Sequence, residues 1–299
     1  MSAYHIPALL KESITGLNVK PDGKYVDVTY GGGGHSKEIL NNLKKGKLFA
    51  FDQDEEALNN KIDDKRLILI HANFKFVKNF LRYYNIKQVD GIIADLGISF
   101  HQVDESKRGF SFKSDDEIDM RMNRNATLKA TEILNNYETE HLARIFKEYG
   151  ELNQAWRIAQ SITDARSKRK LEKAADLLKI IEKFASPKME NKFYAKVFQA
   201  LRIELNQEIG ALKEFLLAST DMLKTGGRLV VISYHSLEDR LVKNFMKSGN
   251  FDGDIEKDVY GRFSTPFELV NKKIIVPSDE EVSINPRSRS AKMRIAEKK

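Results

Sequence analysis

The first third of the chain alternates short β-rich apolar runs with helical patterns. The runs are Tyr25–Tyr30, Lys47–Asp52, Arg66–His71 and Val89–Asp95. Strands that alternate with helices in this way form βαβ units, whose strands pair in parallel and whose helices pack on the sheet. Each run ends in a polar residue, and open sheets of this class bind ligands beyond the carboxyl ends of their strands. The alternation therefore predicts an α/β fold with a ligand site at one edge.

The alternation stops at about residue 104, and no strand-like run occurs from there to residue 205. Helical patterns take its place, at Thr131–Asn135, His141–Tyr149, Leu152–Ala165, Leu171–Phe184 and Tyr194–Leu205. Strand character returns at 228–234 and 290–296. We therefore expect a discontinuous α/β core formed by 1–103 and 206–299, interrupted by an all-helical domain at 104–205.

The composition excludes several kinds of chemistry. The 299 residues include no cysteine, so the chain has no disulfide, thiolate zinc site, iron–sulfur cluster or cysteine nucleophile. Lysine and arginine outnumber aspartate and glutamate by 50 to 43, and the net charge of +7 favours a polyanionic partner. No run approaches the ~18 apolar residues of a membrane helix, and no signal-like run precedes Leu17. We expect a cytoplasmic protein with no membrane partner.

Four glycines, Gly31 to Gly34, separate the first predicted strand from the helix that follows it. Glycines let the backbone turn sharply and approach a ligand, and a helix N-terminus offers unpaired N–H groups. Asp52, at the end of the second strand, can accept hydrogen bonds from both hydroxyls of a ribose. Together these features indicate a nucleoside-containing cofactor. The alternative is a glycine-rich surface turn beside a solvated aspartate.

The spacing of the glycines bears on the identity of that cofactor. A dinucleotide fingerprint requires a third glycine three positions after the second, and Lys37 stands there. Asp27, inside the first strand, resembles the acidic residue before the S-adenosylmethionine (AdoMet) loop of class I methyltransferases. AdoMet has no pyrophosphate, so its loop need not bind phosphates. The pattern favours AdoMet over NAD.

Asp95, Ser233 and His235 lie at the predicted ends of the fourth and fifth strands and are candidates for contact with a methyl acceptor. Two simpler interpretations remain open, in which Asp95 caps the next turn and Ser236 forms a capping box with Asp239. No second helical histidine accompanies His235, so we expect no metal.

Two basic stretches could contact a phosphate backbone. The first, 166–173, includes Lys168, Arg169 and Lys170, and the second, 285–294, includes Arg287 and Arg289. Taken alone, each stretch is interpreted by default as a solvated charged face. In the context of the predicted core they indicate contacts with RNA.

Ten motifs occur in order along nearly the whole chain. They are His5–Glu12, Gly32–Ser36, Phe51–Asp54, His71–Phe74, Asp95–Ser99, Arg108–Phe112, Asp119–Met122, Phe198–Arg202, Ser233–Arg240 and Asn285–Arg289. This set resembles the bacterial 16S ribosomal RNA cytosine-N4 methyltransferase family, RsmH (also MraW). The pair at 108–112 and 119–122, and the run at 235–240, are far more specific than a glycine loop.

The resemblance implies a Rossmann-like class I methyltransferase core interrupted by a helical domain that helps to bind the ribosomal substrate. It implies AdoMet contacts from Gly33, Gly34, His35, Asp52, Phe74, Asp95 and Gln102. It also implies methylation of the exocyclic N4 of a decoding-centre cytidine in 16S rRNA. The partner is then the small ribosomal subunit or its late assembly intermediate.

The absence of cysteine agrees with this chemistry. Methylation at carbon 5 of cytosine normally uses a cysteine that adds to the ring, whereas methylation of an exocyclic amine needs no covalent enzyme intermediate. Asp95, Ser233 and His235 are then expected to hold the amine. Two other classes remain as alternatives. One is an NAD-dependent oxidoreductase, which lacks its third glycine here, and the other is an RNA-binding module whose cofactor site is a relic.

Overall fold

The computed structural model describes residues 7–255, 260 and 264–299. Residues 5 and 6 of the first motif therefore lie outside the described part of the chain. Contacts within the chain separate two compact units, residues 1–97 with 210–299, and residues 98–209. We call them the sheet unit and the helical unit.

One sheet of seven strands forms the centre of the sheet unit, within the described residues. The strands are β1 Lys24–Asp27, β2 Lys47–Asp52, β3 Leu67–His71, β4 Val89–Asp95, β5 Leu223–Ser233, β6 Phe267–Leu269 and β7 Lys292–Lys298. Their order is β3-β2-β1-β4-β5-β7-β6, with β1 to β5 parallel and β7 antiparallel to both of its neighbours. The parallel strands all end at the same edge, which we call the carboxyl edge.

Apolar side chains of the central strands alternate between the two faces of the sheet. Val26 and Phe49 belong to one buried cluster, and Tyr25 and Leu48 belong to another. Both faces are therefore covered, which explains why these strands are apolar almost throughout. The helices of this unit are α1 Leu10–Leu17, α2 Gly34–Asn42, α3 Val77–Tyr83, α10 Glu208–Met222 (which begins in the helical unit), α11 Ser236–Ser248 and α12 Asp279–Ile284. This arrangement confirms the predicted α/β class with a Rossmann-like core.

The helical unit contains the helices α4 Phe100–Asp104, α5 Ala130–Asn136, α6 Thr139–Glu148, α7 Ala155–Arg166, α8 Ala174–Ile181 and α9 Glu190–Asn206. Phe146, Ile158 and Leu201 are buried in its single core. None of the helices in the described residues has the length and apolar character needed to cross a membrane.

Two of the most specific sequence motifs pack against each other inside the helical unit. Arg108 is buried, and its Nη2 donates to the carbonyl oxygens of Arg121 at 3.0 Å and Met122 at 3.3 Å. The Met120 N–H donates to the Arg108 carbonyl at 2.9 Å. The side chain of Asp119 pairs with Arg121 in a bidentate arrangement, at 2.8 and 2.7 Å. Hydrogen bonds thus join the two motifs, and they supply the several acceptors that a buried guanidinium needs.

Candidate active site

Polar side chains lie where four neighbouring strands end at the carboxyl edge. Asp27 ends β1, Asp52 ends β2, Asp95 ends β4 and Ser233 ends β5. Because these strands are parallel and adjacent, the ends of all four meet at one edge. The residues that the sequence placed at separate strand ends therefore share one site.

The glycine loop joins β1 to α2 at this edge. Gly33 has a φ of 76° and is the N-cap of α2, a backbone conformation that favours glycine. A Cβ on Gly34 would lie 2.7 Å from the Pro7 side chain, so packing also requires glycine there. The Gly31 N–H donates to Asp52 Oδ2 at 2.8 Å, which fastens the loop to the end of β2.

Asp27 stabilises the glycine loop through hydrogen bonds. It is buried, and its carboxylate accepts hydrogen bonds from Ser36 Oγ at 2.6 Å and from the Thr29 N–H at 3.1 Å. Burial raises the pKa of Asp27, while these hydrogen bonds lower it. Thr29 Oγ1 in turn accepts from the Asp95 N–H at 2.7 Å. Asp27 therefore positions the loop and joins β1 to β4.

Asp52 is organised by backbone donors on both sides. Oδ1 accepts from the Asp54 N–H and Oδ2 from the Gly31 N–H, each at 2.8 Å. Burial raises the pKa of Asp52 to about 6, and the two backbone hydrogen bonds oppose that rise. Each carboxylate oxygen has two lone pairs, so both can accept a further hydrogen bond. This geometry suits a diol.

Asp95 lies among several groups that perturb its pKa. Burial is the main cause that raises this pKa to about 7; the Tyr234 hydroxyl, which donates to Oδ1 at 2.9 Å, opposes the rise, and the negative charges of Asp27 and Glu238 contribute to it. His35 Nδ1 lies 3.8 Å from Oδ2. Burial and the neighbouring Asp95 also raise the pKa of Tyr234, so its hydroxyl keeps its proton. Asp95 can therefore accept a proton near neutral pH.

The start of α11 differs from its sequence interpretation. His235 is the N-cap, and its Nδ1 accepts from the Glu238 N–H at 3.4 Å. The expected capping box of Ser236 with Asp239 was wrong, because the helix begins at Ser236 and the Asp239 carboxylate accepts from Arg294 Nε at 2.7 Å. The cap aligns the imidazole with the end of β5.

Glu238 connects the groups around the end of β5. Its Oε2 accepts from the Tyr234 N–H at 3.1 Å, and its Oε1 lies 3.2 Å from His235 Nε2. That nitrogen is buried and has no partner in hydrogen-bonding geometry among the described residues. The Ser233 hydroxyl instead donates to the Lys292 carbonyl on β7 at 3.3 Å. Glu238 thus contacts both Tyr234 and His235, whereas the Ser233 side chain contacts β7.

Comparison with known proteins identifies the family. The model of the MraW methylase family matches residues 2–299. The chain belongs to the MraW methylase family. A protein of Bacteroides thetaiotaomicron named "Ribosomal RNA small subunit methyltransferase H" is 56% identical over 297 residues, 99% of this chain and 98% of that protein. A protein of the same name from Flavobacterium johnsoniae is 55% identical over 296 residues, again covering 99% and 98%.

Among solved structures, an rRNA methylase from Streptococcus thermophilus is similar over 98% of both chains, with 14% identity and a TM-score of 0.44. Membership of the MraW family makes this chain an AdoMet-dependent methyltransferase. The edge described above fits that cofactor. Asp52 offers acceptors for the ribose diol, and Asp95 provides a second carboxylate beside the glycine loop.

The remaining cofactor candidates of this methyltransferase lie in different settings. His35 is buried at the start of α2, and its Nε2 lies 3.2 Å from the Ala8 carbonyl oxygen. The half-buried Phe74 ring contacts Phe215 edge-on, with 5.7 Å between centroids. Gln102 belongs to the helical unit, where its Oε1 accepts from the Ser99 N–H at 3.1 Å. His35 and Phe74, in contrast, belong to the sheet unit.

Three candidate RNA-binding residues form the turn between α7 and α8. The side chains of Lys168, Arg169 and Lys170 are exposed, and we call this segment the basic turn. The distance from Arg169 Nη2 to the Asp176 carboxylate is 4.0 Å, which is a weak surface pair. The cations of the turn are therefore accessible to an anionic partner.

The other two candidates, Arg287 and Arg289, lie in the sheet unit. They flank the buried Ser288 in the 3-10 turn Pro286–Ser290, and both side chains are exposed. The turn leads directly into β7, so its backbone is held by the sheet while its cations point away from the core.

Sequence reasoning overlooked two residues of the site, Thr29 and Tyr234. Both contact Asp95 through their hydroxyls: Thr29 Oγ1 accepts from the Asp95 N–H, and the Tyr234 hydroxyl donates to the Asp95 carboxylate. Their positions at the ends of β1 and β5 were the available signal. A contact across the sheet cannot be read from one strand alone.

Proposed function

We propose that this methyltransferase transfers the methyl group of AdoMet to the exocyclic N4 of a decoding-centre cytidine in 16S rRNA. The relatives named "Ribosomal RNA small subunit methyltransferase H", at 56% and 55% identity, support a small-subunit rRNA substrate. The absence of cysteine supports an amine over carbon 5 of the ring. A ribosomal substrate implies action in the cytoplasm, on the small subunit or its late assembly intermediate.

The partly buried carboxyl of Asp95, between Tyr234 and His35, is the observation that carries this proposal. An exocyclic amine loses a proton as it gains a methyl group: the nitrogen lone pair forms the N–C bond, and the sulfur retains the electrons of the broken C–S bond. Asp95 has a pKa near 7 and can take that proton at neutral pH. Tyr234 donates to one oxygen, which leaves the other, beside His35, to face the amine.

The residues of the carboxyl edge would hold the cofactor. Asp52 would accept the ribose hydroxyls, and the backbone of Gly33 and Gly34 allows close approach at the start of α2. His35 and Phe74 would border the same site. When bound, AdoMet supplies a methyl group activated by its sulfonium charge. The protein then needs to hold the amine nitrogen ~3 Å from that carbon and in line with the C–S bond.

On the acceptor side, we assign His235 and Asp95 to the target base. His235 Nδ1 is occupied by the Glu238 N–H, and a neutral imidazole then carries its proton on Nε2. Because that nitrogen is buried 3.2 Å from Glu238 Oε1, the imidazole would border the base while Asp95 accepts from its amine. A cytosine in folded rRNA must leave its stack to reach these groups. Ser233 contributes indirectly by fixing the end of β5 to β7.

The helical domain at 104–205 would serve the substrate, whereas Gln102, just before it, would contact AdoMet. The basic turn Lys168, Arg169 and Lys170 offers phosphate contacts, and Arg287 with Arg289 offers others on the sheet unit. The assignment agrees with the sharp difference in character between the two units. The carboxylates of the edge, Asp27, Asp52 and Asp95, belong to the sheet unit, and the basic turn belongs to the helical unit.

The deciding experiment supplies isotopically labelled AdoMet and small ribosomal subunits lacking the modification. The rRNA is then digested to nucleosides, and the label is located by mass spectrometry. We expect label in N4-methylcytidine, and none with Asp95→Asn over the same time. Label in 5-methylcytidine, in a ribose-methylated nucleoside or in protein would contradict the proposal. RNA binding with neither AdoMet binding nor methyl transfer would favour the relic-site alternative.

A further inference from the structure

A cleft of about 500 Å³ opens on the outer surface of the helical unit. Its lining consists of Gln154, Trp156, Arg157, Gln160, Ser161, Lys183 and Phe184. Five of these residues lie in or just before α7, and the other two lie in the 3-10 turn Glu182–Phe184 that follows α8. Both segments belong to one compact unit. The cleft is therefore a feature of this unit alone.

Trp156 is the most conspicuous residue of this cleft. It is the only tryptophan of the chain, and 54% of its surface is exposed. The opposite face of α7, with Ile158 and Ile162, is fully buried in the core. The indole is thus not needed to fill that core. Within the described residues it forms no ring contact or hydrogen bond, so its faces are accessible to a ligand.

Phe184 provides a second aromatic ring, and two cations lie against it. The Arg157 guanidinium carbon is 5.7 Å from the ring centroid, and Lys183 Nζ is 5.2 Å from it. Arg157 Nη1 also donates to Gln154 Oε1 at 3.2 Å, which orients the guanidinium. Among the described residues, the lining of the cleft includes two cations and no carboxylate.

We propose that this cleft binds an unpaired nucleobase of single-stranded RNA, which stacks on Trp156. The proposal rests on the RNA substrate proposed above and adds a site that the basic turn does not include. An exposed indole provides a flat π-face, which suits any base. Arg157 and Lys183 provide charge for the adjoining phosphates, and Gln154, Gln160 and Ser161 offer donors and acceptors for base edges.

The lining favours RNA over a protein partner. A hydrophobic helix would need an apolar groove, whereas five of the seven lining residues are polar or charged. An acidic peptide would use the cations but would leave the indole face without a partner. A single-stranded nucleic acid combines planar bases that can stack with an anionic backbone.

The sole tryptophan makes the test direct. Excitation of the full-length protein at the tryptophan band reports Trp156 alone. We expect saturable quenching when an unstructured oligouridylate of about 12 nucleotides is titrated in, a length within the usual site size of such surfaces. The same RNA annealed to its complement should quench much less, because its bases are already stacked and paired. Equal quenching by both forms would indicate charge attraction without stacking.

Variants then separate stacking from charge. With fluorescently labelled RNA, anisotropy should show that Trp156→Ala weakens binding about 5- to 150-fold, which corresponds to the loss of one base–aromatic stack. Trp156→Phe should retain most of the affinity. Tyr83→Ala is the matched control, since Tyr83 is 76% exposed on the sheet unit and lies outside the cleft. It should bind as the wild type does.

The outcomes distinguish this inference from the proposed function. If Trp156→Ala binds RNA like the wild type, or if a ribosomal protein and not RNA quenches the indole, the nucleobase site is wrong. The methylation assay on small subunits can still succeed in that case. If the wild type never labels N4 of cytidine, the proposed function is wrong, yet quenching by single-stranded RNA would still support the cleft.

Discussion

The carboxyl edge of the sheet and the outer surface of the helical unit are built in opposite ways. At the edge, Asp27 is buried, Asp52 and Asp95 are partly buried, and their carboxylates are held by backbone donors or by the Tyr234 hydroxyl. On the helical unit, the basic turn and Trp156 lie in solvent, where they have few or no partners among the described residues. One region is preorganised, and the other is left available for contact.

This difference follows from what each region must do. Proton acceptance near neutral pH requires a carboxyl whose ionised form is destabilised, and burial at the edge achieves this for Asp95. Burial also carries a cost in stability, because the folded protein disfavours the ionised form that the unfolded chain adopts. RNA binding requires accessible charge and aromatic surface, which solvent exposure preserves at little cost. The predictions below test whether chemistry and RNA binding separate along this division.

The largest expected effect comes from Asp95→Asn. The rate of methyl transfer should fall roughly 100- to 10,000-fold, the range typical for loss of a general base. In the wild type, kcat/KM should rise as the pH passes about 7, because only the ionised carboxylate accepts a proton. The variant should lose that step. An unchanged pH profile in Asp95→Asn would assign the proton acceptor to another group.

Asp95→Asn should also change how the stability of the protein depends on pH. A folded-state pKa above the ordinary value means that Asp95 contributes stability below about pH 4, and that this contribution is lost as the pH rises through 7. Thermal melting from pH 5 to 8 should therefore show a smaller loss of stability in Asp95→Asn than in the wild type. The difference should reach a few kcal/mol at most, at about 1.4 kcal/mol per pKa unit.

The second effect is on the cofactor. Asp52→Ala should weaken AdoMet binding about 30- to 150-fold, equivalent to roughly 2–3 kcal/mol, because it removes the acceptor for the ribose hydroxyls. Calorimetry on the folded variant measures this. Asp64→Ala is a suitable control, since Asp64 precedes β3 at the opposite edge and pairs with Arg66. Equal affinities in the two variants would place the ribose contact elsewhere.

The third effect concerns RNA binding, and the affinity for AdoMet should not change. Replacing Lys168, Arg169 and Lys170 by Gln should weaken binding to small subunits about tenfold at moderate salt. The salt slope of binding should decrease by about 2, at roughly 0.7 per phosphate contact in single strands. The control variant replaces Lys44, Lys45 and Lys47, which are exposed before and at the start of β2. It removes the same charge from the sheet edge opposite the carboxyl edge. If both triple variants behave alike, general charge and not the basic turn is responsible.

The smallest effect tests whether the Tyr234 hydroxyl adjusts the pKa of Asp95. Tyr234→Phe removes the hydroxyl that lowers the pKa of Asp95, so that pKa should rise further. Activity at pH 7 should fall several-fold and recover at higher pH, where Asp95 ionises again. Tyr30→Phe is the matched control, because its hydroxyl donates to the Asn60 carbonyl at 2.7 Å. A shift of the pH profile in both variants would point to a general loosening of the loop.

Local pattern was sufficient for much of this fold. The strand at Val89–Asp95 is confirmed to the residue, because a run of buried β-branched residues between polar ends has few other conformations. Asp54 caps the turn after β2, with its side chain accepting from the Glu56 N–H, and aspartate is a residue type that favours this position. The first strand ends at Asp27, earlier than predicted, since the backbone already turns toward the glycine loop. Strand ends are where local pattern carries the least information.

The sequence by itself determined the α/β class, the interruption by a helical segment, and the set of motifs that point to an AdoMet-dependent methyltransferase. These depend on periodicity and on residue types at short spacing, which are local properties. Only the tertiary structure decided what surrounds Asp95, because Thr29 contacts it from the loop after β1, and Tyr234 and Glu238 contact or influence it from the segment after β5. It also decided that Ser233 faces β7 and that Trp156 faces solvent. Burial and pKa depend on the three-dimensional surroundings of a group, and no spacing along the chain specifies them.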